Sequence, residues 1–394
     1  MTVEKLVYGG DGLARLEGRV VLAPLVLPGE RIRASAAQEK PGLVRARVLQ
    51  VLEASPERVA AACPFFERCG GCQYQHASYA LQLEAKRGIL AEELRRLGGI
   101  EPPARIEVVP GEPWGYRNRT QIHFHEGRLG FRRMRSHDLC AVDQCPIASP
   151  RINEVIRTLA AMQRDPRWPR FLRSLEVFTD EEQVQLNVID TGRPVARRFF
   201  EWCAESIPGL VSGALDYQGR FRVSSSSFFQ ANRFLADRLV EAALAGAEGG
   251  RALDLYAGVG LFSIPLAGRF REVTAVEAGR GAVRDLEFNA ARAGCANLHA
   301  VQSSTEAFLA ALETAPDFVL LNPPRAGLGK QVVARLSALR PPKITIVACD
   351  PSTLARDLAG LSAAGYAIAG LTLVDLFPQT YHLEAVVRLE RSGG

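Results

Sequence analysis

Two hydrophobic patterns divide this chain. Up to about residue 54, short apolar–polar alternations are interrupted by turn residues. Gly9-Gly10-Asp11-Gly12 makes a tight turn, Gly18-Arg19-Val20-Val21-Leu22-Ala23 alternates toward a strand, Pro28-Gly29-Glu30 turns again, and a further strand runs from Leu43 to Leu52. Short strands punctuated this way predict a small five-stranded barrel over residues 1–54. The middle of the chain, 55–215, is mixed. Leu81, Ala85, Ile89 and Leu94 fall at helical spacing and predict a helix between Ser78 and Leu97; strands and turns follow around Tyr116–Arg119 and Arg128–Arg133. From about 216 to 394, apolar runs alternate with helical segments, the signature of a doubly wound parallel sheet. The fold class expected is multidomain α/β: an N-terminal five-stranded β-barrel, a central α+β domain and a C-terminal doubly wound, Rossmann-like domain.

The third region carries candidate chemistry at its strand ends. Ala252-Leu253-Asp254-Leu255-Tyr256 is a buried strand running into Ala257-Gly258-Val259-Gly260 and a helix, a unit that lets backbone approach a ligand closely. The next strand ends in Glu277, about twenty residues after the turn, where a ribose-hydroxyl acceptor belongs. A later strand leads into Asn322-Pro323-Pro324-Arg325, whose prolines stiffen a loop at the same edge. A dinucleotide would want a third glycine at fingerprint spacing, which is missing. S-adenosylmethionine, with an adenosine but no pyrophosphate, fits better.

Lys343–Ala348 delivers Cys349 at a strand tip, before a helix start at which the partial positive charge should favour a thiolate. The last strand contains Glu384, followed by apolar Ala-Val-Val; partial burial would raise its pKa as a general base requires. His382 reads equally well as a packing residue.

Cysteine spacing adds a second chemistry. Cys63, Cys69 and Cys72 fall within ten residues, and Cys145 would join them through the fold. Four sulfurs from such loops suit a tetrahedral zinc or an iron–sulfur cluster, and spacing does not choose between them. The chain has 8 cysteines and no N-terminal apolar signal region, which points to reduced thiols in the cytoplasm. No apolar run reaches membrane-spanning length, so no membrane partner is expected. Net charge is only +5, but arginine dominates the basic residues, a bias compatible with a phosphate-rich partner and equally with a GC-rich genome.

Taken together, Cys-x5-Cys-Gly-Gly-Cys, the later Cys145-Pro146, Ser-Phe-Phe-Gln-Ala-Asn (227–232), the glycine turn, Pro-Pro-Arg, the Cys-Asp-Pro-Ser-Thr-Leu-Ala-Arg-Asp loop and Phe-Pro-Gln-Thr-x-His-x-Glu resemble the RNA 5-methyluridine methyltransferases of TrmA and RlmC/RlmD type, over essentially the whole chain. Residues 1–54, together with Ser55–Val59 just after them, resemble the OB-like, RNA-binding TRAM domain in their Gly-Gly-Asp-Gly, Leu-Pro-Gly-Glu and Ser-Pro-Glu-Arg-Val stations. The resemblance implies an S-adenosylmethionine-dependent enzyme that methylates carbon 5 of a uridine in rRNA or tRNA, as a monomer. It implies Cys349 as the nucleophile at carbon 6 and Glu384 as general base. Gln230, Tyr256, Glu277, Ser304 and Asn322 would line the cofactor pocket, and Cys63, Cys69, Cys72 and Cys145 would hold a [4Fe–4S] cluster. Cys140, Cys203 and Cys295 match no family site. The chain departs from the family pattern at Asn322, usually Asp, and at Asp350, usually Asn; Asp350 should oppose thiolate formation unless it points elsewhere. Those exchanges keep a non-catalytic RNA-binding protein in view. A radical enzyme is disfavoured because Cys-x3-Cys-x2-Cys is absent.

Overall fold

The computed structural model describes residues 1–225 and 227–391. The N-terminal strands Val3–Leu6, Asp11–Leu16, Arg19–Pro24, Leu43–Glu53 and Arg31–Lys40 lie side by side in that order. A bridge between Thr2 and Arg31 closes the sheet on itself, with Val3 N donating to Glu30 O at 2.9 Å. The result is a barrel around a small core of Val3, Ala14, Val21, Ala23, Val26, Ile32 and Ala46. Closure removes the sheet edges that so short a set of strands would otherwise expose.

The central antiparallel sheet orders Val184–Thr191, Leu172–Thr179, Arg119–His125, Arg128–Arg132 and Leu139–Ala141. Helices Pro150–Met162 and Arg197–Ser206 cover one face through Ile152, Val155, Ile156, Leu159, Phe199 and Cys203.

The large sheet has eight strands, ordered Leu298–Gln302, Phe270–Glu277, Gly249–Leu255, Phe318–Leu321, Lys343–Ala348, Glu384–Arg391, Tyr366–Val374 and Glu107–Val109. The first five are parallel; Glu384–Arg391 runs antiparallel to both neighbours. Alternate residues feed two cores. Ala252, Val273, Ala275, Phe318 and Leu320 face one side, and Leu253, Leu255, Val276, Val319 and Leu321 the other. Burial on both faces explains why these strands read as continuous apolar runs while those of the barrel alternate.

One boundary drawn from sequence does not separate structural units. The helix Tyr79–Gly98 forms as expected, with Ser78 Oγ accepting from Leu81 N at its start. It packs against the helix Pro351–Ala363 of the large sheet, and the strand Glu107–Val109 becomes that sheet's eighth. Lys86 Nζ reaches Asp375 Oδ1 at 2.6 Å with both side chains fully buried, and also donates to Phe377 O at 2.9 Å. Residues from the middle of the chain therefore complete the C-terminal domain. Periodicity shows that a helix has an apolar stripe, not which domain covers it. Among the described residues no helix is long and apolar enough to cross a membrane.

Candidate active site at the carboxyl edge of the sheet

The parallel strands all deliver their carboxyl ends to one edge. The strand Gly249–Leu255 exits through Tyr256, Gly258 and Gly260, whose φ values of 63°, 56° and 95° coil the chain tightly. A Cβ at Gly260 would come within 2.6 Å of Leu286, whereas one at Gly258 would meet nothing within 4 Å. Gly260 is required by packing; Gly258 faces open space. Glu277 sits beside this turn, its Oε2 accepting from Gly258 N at 3.0 Å and its Oε1 from Gly279 N at 2.7 Å.

Sequence reasoning missed Asp254. It is fully buried, Ser263 Oγ donates to its Oδ2, and its Oδ1 has no partner among the described residues. Burial, reinforced by the charge of Glu277, pushes its carboxyl up to about 7. A carboxylate inside an otherwise apolar strand was the available signal, because an unpaired buried oxygen is costly unless something else meets it. An open turn, a bidentate-capable carboxylate and an orphaned carboxyl oxygen fit an adenosyl cofactor.

The other expected cofactor residues gather around this edge to different degrees. Gln230 is buried in a loop pinned by Ser227 Oγ to Asp285 and by Asn232 Nδ2 to Leu376 O at 2.9 Å. The hairpin Ala214–Tyr217/Phe221–Ser224 places that loop by resting on the helix Arg280–Arg292, where Asn289 Oδ1 accepts from Arg222 N at 2.7 Å. Tyr256 lies beside Thr305. Asn322 follows the strand Phe318–Leu321, its N–H directed to Leu255 O at 3.3 Å. Ser304 is exposed and its hydroxyl caps the helix Thr305–Ala311 by accepting from Ala307 N, so that oxygen already has a structural task.

Cys349 lies one residue beyond Lys343–Ala348, and Glu384 begins the strand antiparallel to it. The register pairs Ala348 with Ala385, which sets Cys349 and Glu384 opposite one another. Glu384 is 5% exposed, and burial pushes its carboxyl up to about 8 against the opposing pull of Arg325. The Cys349 thiol is not activated as the helix-start argument expected: burial and then the charge of Glu384 push it up to about 11, with Arg325 opposing. Asp350 adds to this as expected, its charge also raising the thiol, while its Oδ1 caps the helix by accepting from Ser352 N and Thr353 N at 3.0 and 2.9 Å. The cap uses the helix-end donors that would otherwise have favoured a thiolate. Asp and Asn cap about equally well, which accounts for the exchange at 350. His382 packs edge-on against Phe377, and burial lowers it to about 4.

The four cysteines Cys63, Cys69, Cys72 and Cys145 line one cavity with Phe66, Phe131 and Ile147. Burial, and each sulfur's charge on the others, raises Cys69 to about 12 and raises Cys72 and Cys145 as well. Cys140, on the strand Leu139–Ala141, also lies close enough to raise Cys69. Such thiols stay protonated unless a positive centre sits among them. In kind, the donors and their apolar lining fit an iron–sulfur cluster. Among the described residues, however, no three His, Cys, Asp or Glu side chains converge as a metal-holding group.

A basic groove with a volume of about 480 Å³ runs between the barrel turn Gly9–Asp11 and Arg132–Arg135, past Arg117, and ends at Tyr381. Tyr381 in turn meets Tyr8, whose hydroxyl reaches the Cys349 carbonyl, so this end of the groove borders the active edge.

Residues 209–392 match the family model for tRNA (Uracil-5-)-methyltransferase. An "Uncharacterized RNA methyltransferase" of Aquifex aeolicus is 34% identical over 99% of this chain and 98% of its own length. A 23S rRNA (uracil(1939)-C(5))-methyltransferase RlmD of Halomonas elongata is also 34% identical, over 99% of this chain and 89% of that protein. Among solved structures, the Pyrococcus abyssi tRNA (uracil-54, C5)-methyltransferase in complex with S-adenosyl-L-homocysteine superimposes with a TM-score of 0.75, at 26% identity and with 99% of each chain covered.

Proposed function

The chain belongs to the tRNA (uracil-5-)-methyltransferase family, and from that premise we propose that it methylates carbon 5 of a uridine in rRNA or tRNA, with Cys349 as nucleophile and Glu384 as base. The observation that carries this reading is the antiparallel register that sets Cys349 against Glu384 at the edge holding the glycine turn. S-adenosylmethionine, when bound, supplies an electrophilic methyl group on a sulfonium cation.

The chain's own residues then divide the work. Carbon 5 of uridine is a poor nucleophile until something adds at carbon 6. Cys349 Sγ, its proton passed to solvent, bonds to carbon 6 and moves the π pair toward carbon 5, which takes the methyl group as the methyl–sulfur bond breaks and leaves a neutral thioether. Glu384 removes the remaining proton from carbon 5, the double bond re-forms, and Cys349 leaves as thiolate. Without ligands both groups hold their protons at neutral pH, Cys349 up to about 11 and Glu384 up to about 8. A cation placed beside them favours both anions. Arg325 already acts in that direction on each.

Asp254, Tyr256, Glu277, Gln230 and Asn322 would hold the cofactor, with Glu277 and the open side of Gly258 as the adenosine end. The groove past Arg117 and Arg132–Arg135 would carry the RNA backbone, and the target base must leave its stack to reach Cys349. The barrel would act as a TRAM-like RNA module. Cys63, Cys69, Cys72 and Cys145 would hold a [4Fe–4S] cluster whose positive iron centres stabilise thiolates that burial alone disfavours, in keeping with a reducing cytoplasm. No chemical step is assigned to it.

Mass-spectrometric mapping of 5-methyluridine in tRNA and 23S rRNA from cells with and without the protein tests the activity. Loss of a single 5-methyluridine is expected. An unchanged map, or full methyl transfer by Cys349→Ala, would reject the reading.

A further inference from the structure

Tyr8 belongs to the N-terminal barrel and stands 341 positions from Cys349, yet its hydroxyl donates to the Cys349 carbonyl at 3.3 Å. Its ring meets Tyr381 edge-on, with centroids 5.4 Å apart and planes at 84°. The hydroxyl neighbours Asp350, Tyr381, Cys349 and Arg325; burial and the negative neighbours raise it well above the ordinary tyrosine value. Tyr8 is therefore a neutral hydrogen-bond donor throughout any working pH.

The barrel is held in this position by contacts on both sides of Tyr8. Lys5 Nζ lies 2.6 Å from Glu92 Oε1 on the helix Tyr79–Gly98. Arg135 of the central domain bonds to Asp11, which is 5% exposed. Gln73 packs so closely on Gly10 that a Cβ there would come within 2.9 Å of it. The turn that presents Tyr8 is wedged in place rather than resting loosely on the sheet.

Cys349 is the single residue between the last strand position, Ala348, and the helix cap, Asp350. The Cys349 carbonyl carbon is bonded to the same Cα that carries Cβ, so a hydrogen bond to that carbonyl restrains the backbone from which the thiol projects. We propose that Tyr8 is a positioning residue for methyl transfer: its hydroxyl fixes that peptide, and its ring with Tyr381 walls the site, so that docking of the barrel completes the catalytic edge. The inference rests on Cys349 being the nucleophile. It gives the barrel a part in the chemistry besides any part in holding RNA. A barrel displaced by the wrong RNA would withdraw Tyr8 and leave Cys349 less well aimed.

The test uses the full chain, S-adenosylmethionine, and transcripts of 23S rRNA and of a tRNA, continuing with whichever the wild type methylates. Tyr8→Phe keeps the ring and removes only the donor. It should lower kcat by about 3–10-fold, the worth of one hydrogen bond, while KM for RNA stays within about twofold. Covalent trapping on a 5-fluorouridine-substituted transcript, where fluorine replaces the proton that the base must remove, should slow by the same factor. Tyr8→Ala should lower both rates further. Wild-type kcat and trapping rates in Tyr8→Phe, or an effect confined to KM, would overturn the proposal and leave Cys349 as nucleophile standing. Absence of trapping in the wild type together with full activity of Cys349→Ala would instead reject the underlying reading, and this proposal with it.

Discussion

Glu384→Gln separates what this residue costs the fold from what it does in the reaction. Glutamine keeps the side-chain volume and reproduces the neutrality of the protonated acid. In the folded protein Glu384 titrates at about 8, raised from 4.5. Below pH 4.5 the carboxyl is protonated in both states, and stability does not depend on it. Between 4.5 and 8 the unfolded chain releases its proton while the folded one retains it, so stability falls by about 1.4 kcal/mol per pH unit; above 8 the loss is complete. Glutamine does not titrate. The variant should therefore gain on the wild type as pH rises, by roughly 0.7 kcal/mol at pH 5 and roughly 3 kcal/mol at pH 7. Urea unfolding followed by circular dichroism at pH 5, 6, 7 and 8 measures this difference. In the same preparation, methyl transfer should fall by about 10²–10⁴-fold, the usual worth of a positioned base. A stability difference that stays flat with pH, or reverses sign, would refute the claim that burial holds this carboxyl neutral. Retained activity would refute its role as base.

Cys349→Ala should abolish both methyl transfer and trapping on 5-fluorouridine RNA, while S-adenosylmethionine binding by calorimetry stays close to wild type. Lys86→Met leaves Asp375 buried without its cation and should destabilise the protein by about 3–5 kcal/mol; adding Asp375→Leu should recover much of that, as denaturation of the single and double variants would show. Cys72→Ser should reduce the iron and sulfide content of anaerobically purified protein, with wild-type content counting against the cluster assignment.

The helix beginning at Ser78 was legible because Leu81, Ala85, Ile89 and Leu94 repeat at its period and Ser78 caps it. Four of the five parallel strands were legible because burial on both faces leaves apolar runs, each leading into a Gly- or Pro-bearing loop; the edge strand Leu298–Gln302, less buried and followed by Ser303 and Ser304, was not. Glu277 stood out as a carboxylate at such an end, and Glu384 as one in an otherwise apolar last strand. Asp254 lay in plain view within the same strand as the glycine turn, but its unpaired Oδ1 exists only once the neighbouring strands enclose it. The Cys349 thiol was misjudged because a helix start suggests a lowered pKa, whereas burial and Glu384 raise it.

The sequence by itself determined the local elements, the order of the glycine, proline and cysteine loops, and the residue types available for chemistry. Each depends on hydrogen bonds and side-chain periodicity within a few turns or a strand length. Only the tertiary structure decided that Glu384 faces Cys349, that Lys86 and Asp375 neutralise each other beneath the loop leading to Glu384, and that Tyr8 of the barrel reaches the Cys349 carbonyl. Those pairs lie 35, 289 and 341 positions apart. Nothing local encodes them: they follow from strand register and from which apolar faces cover one another, and both are fixed when the whole chain packs.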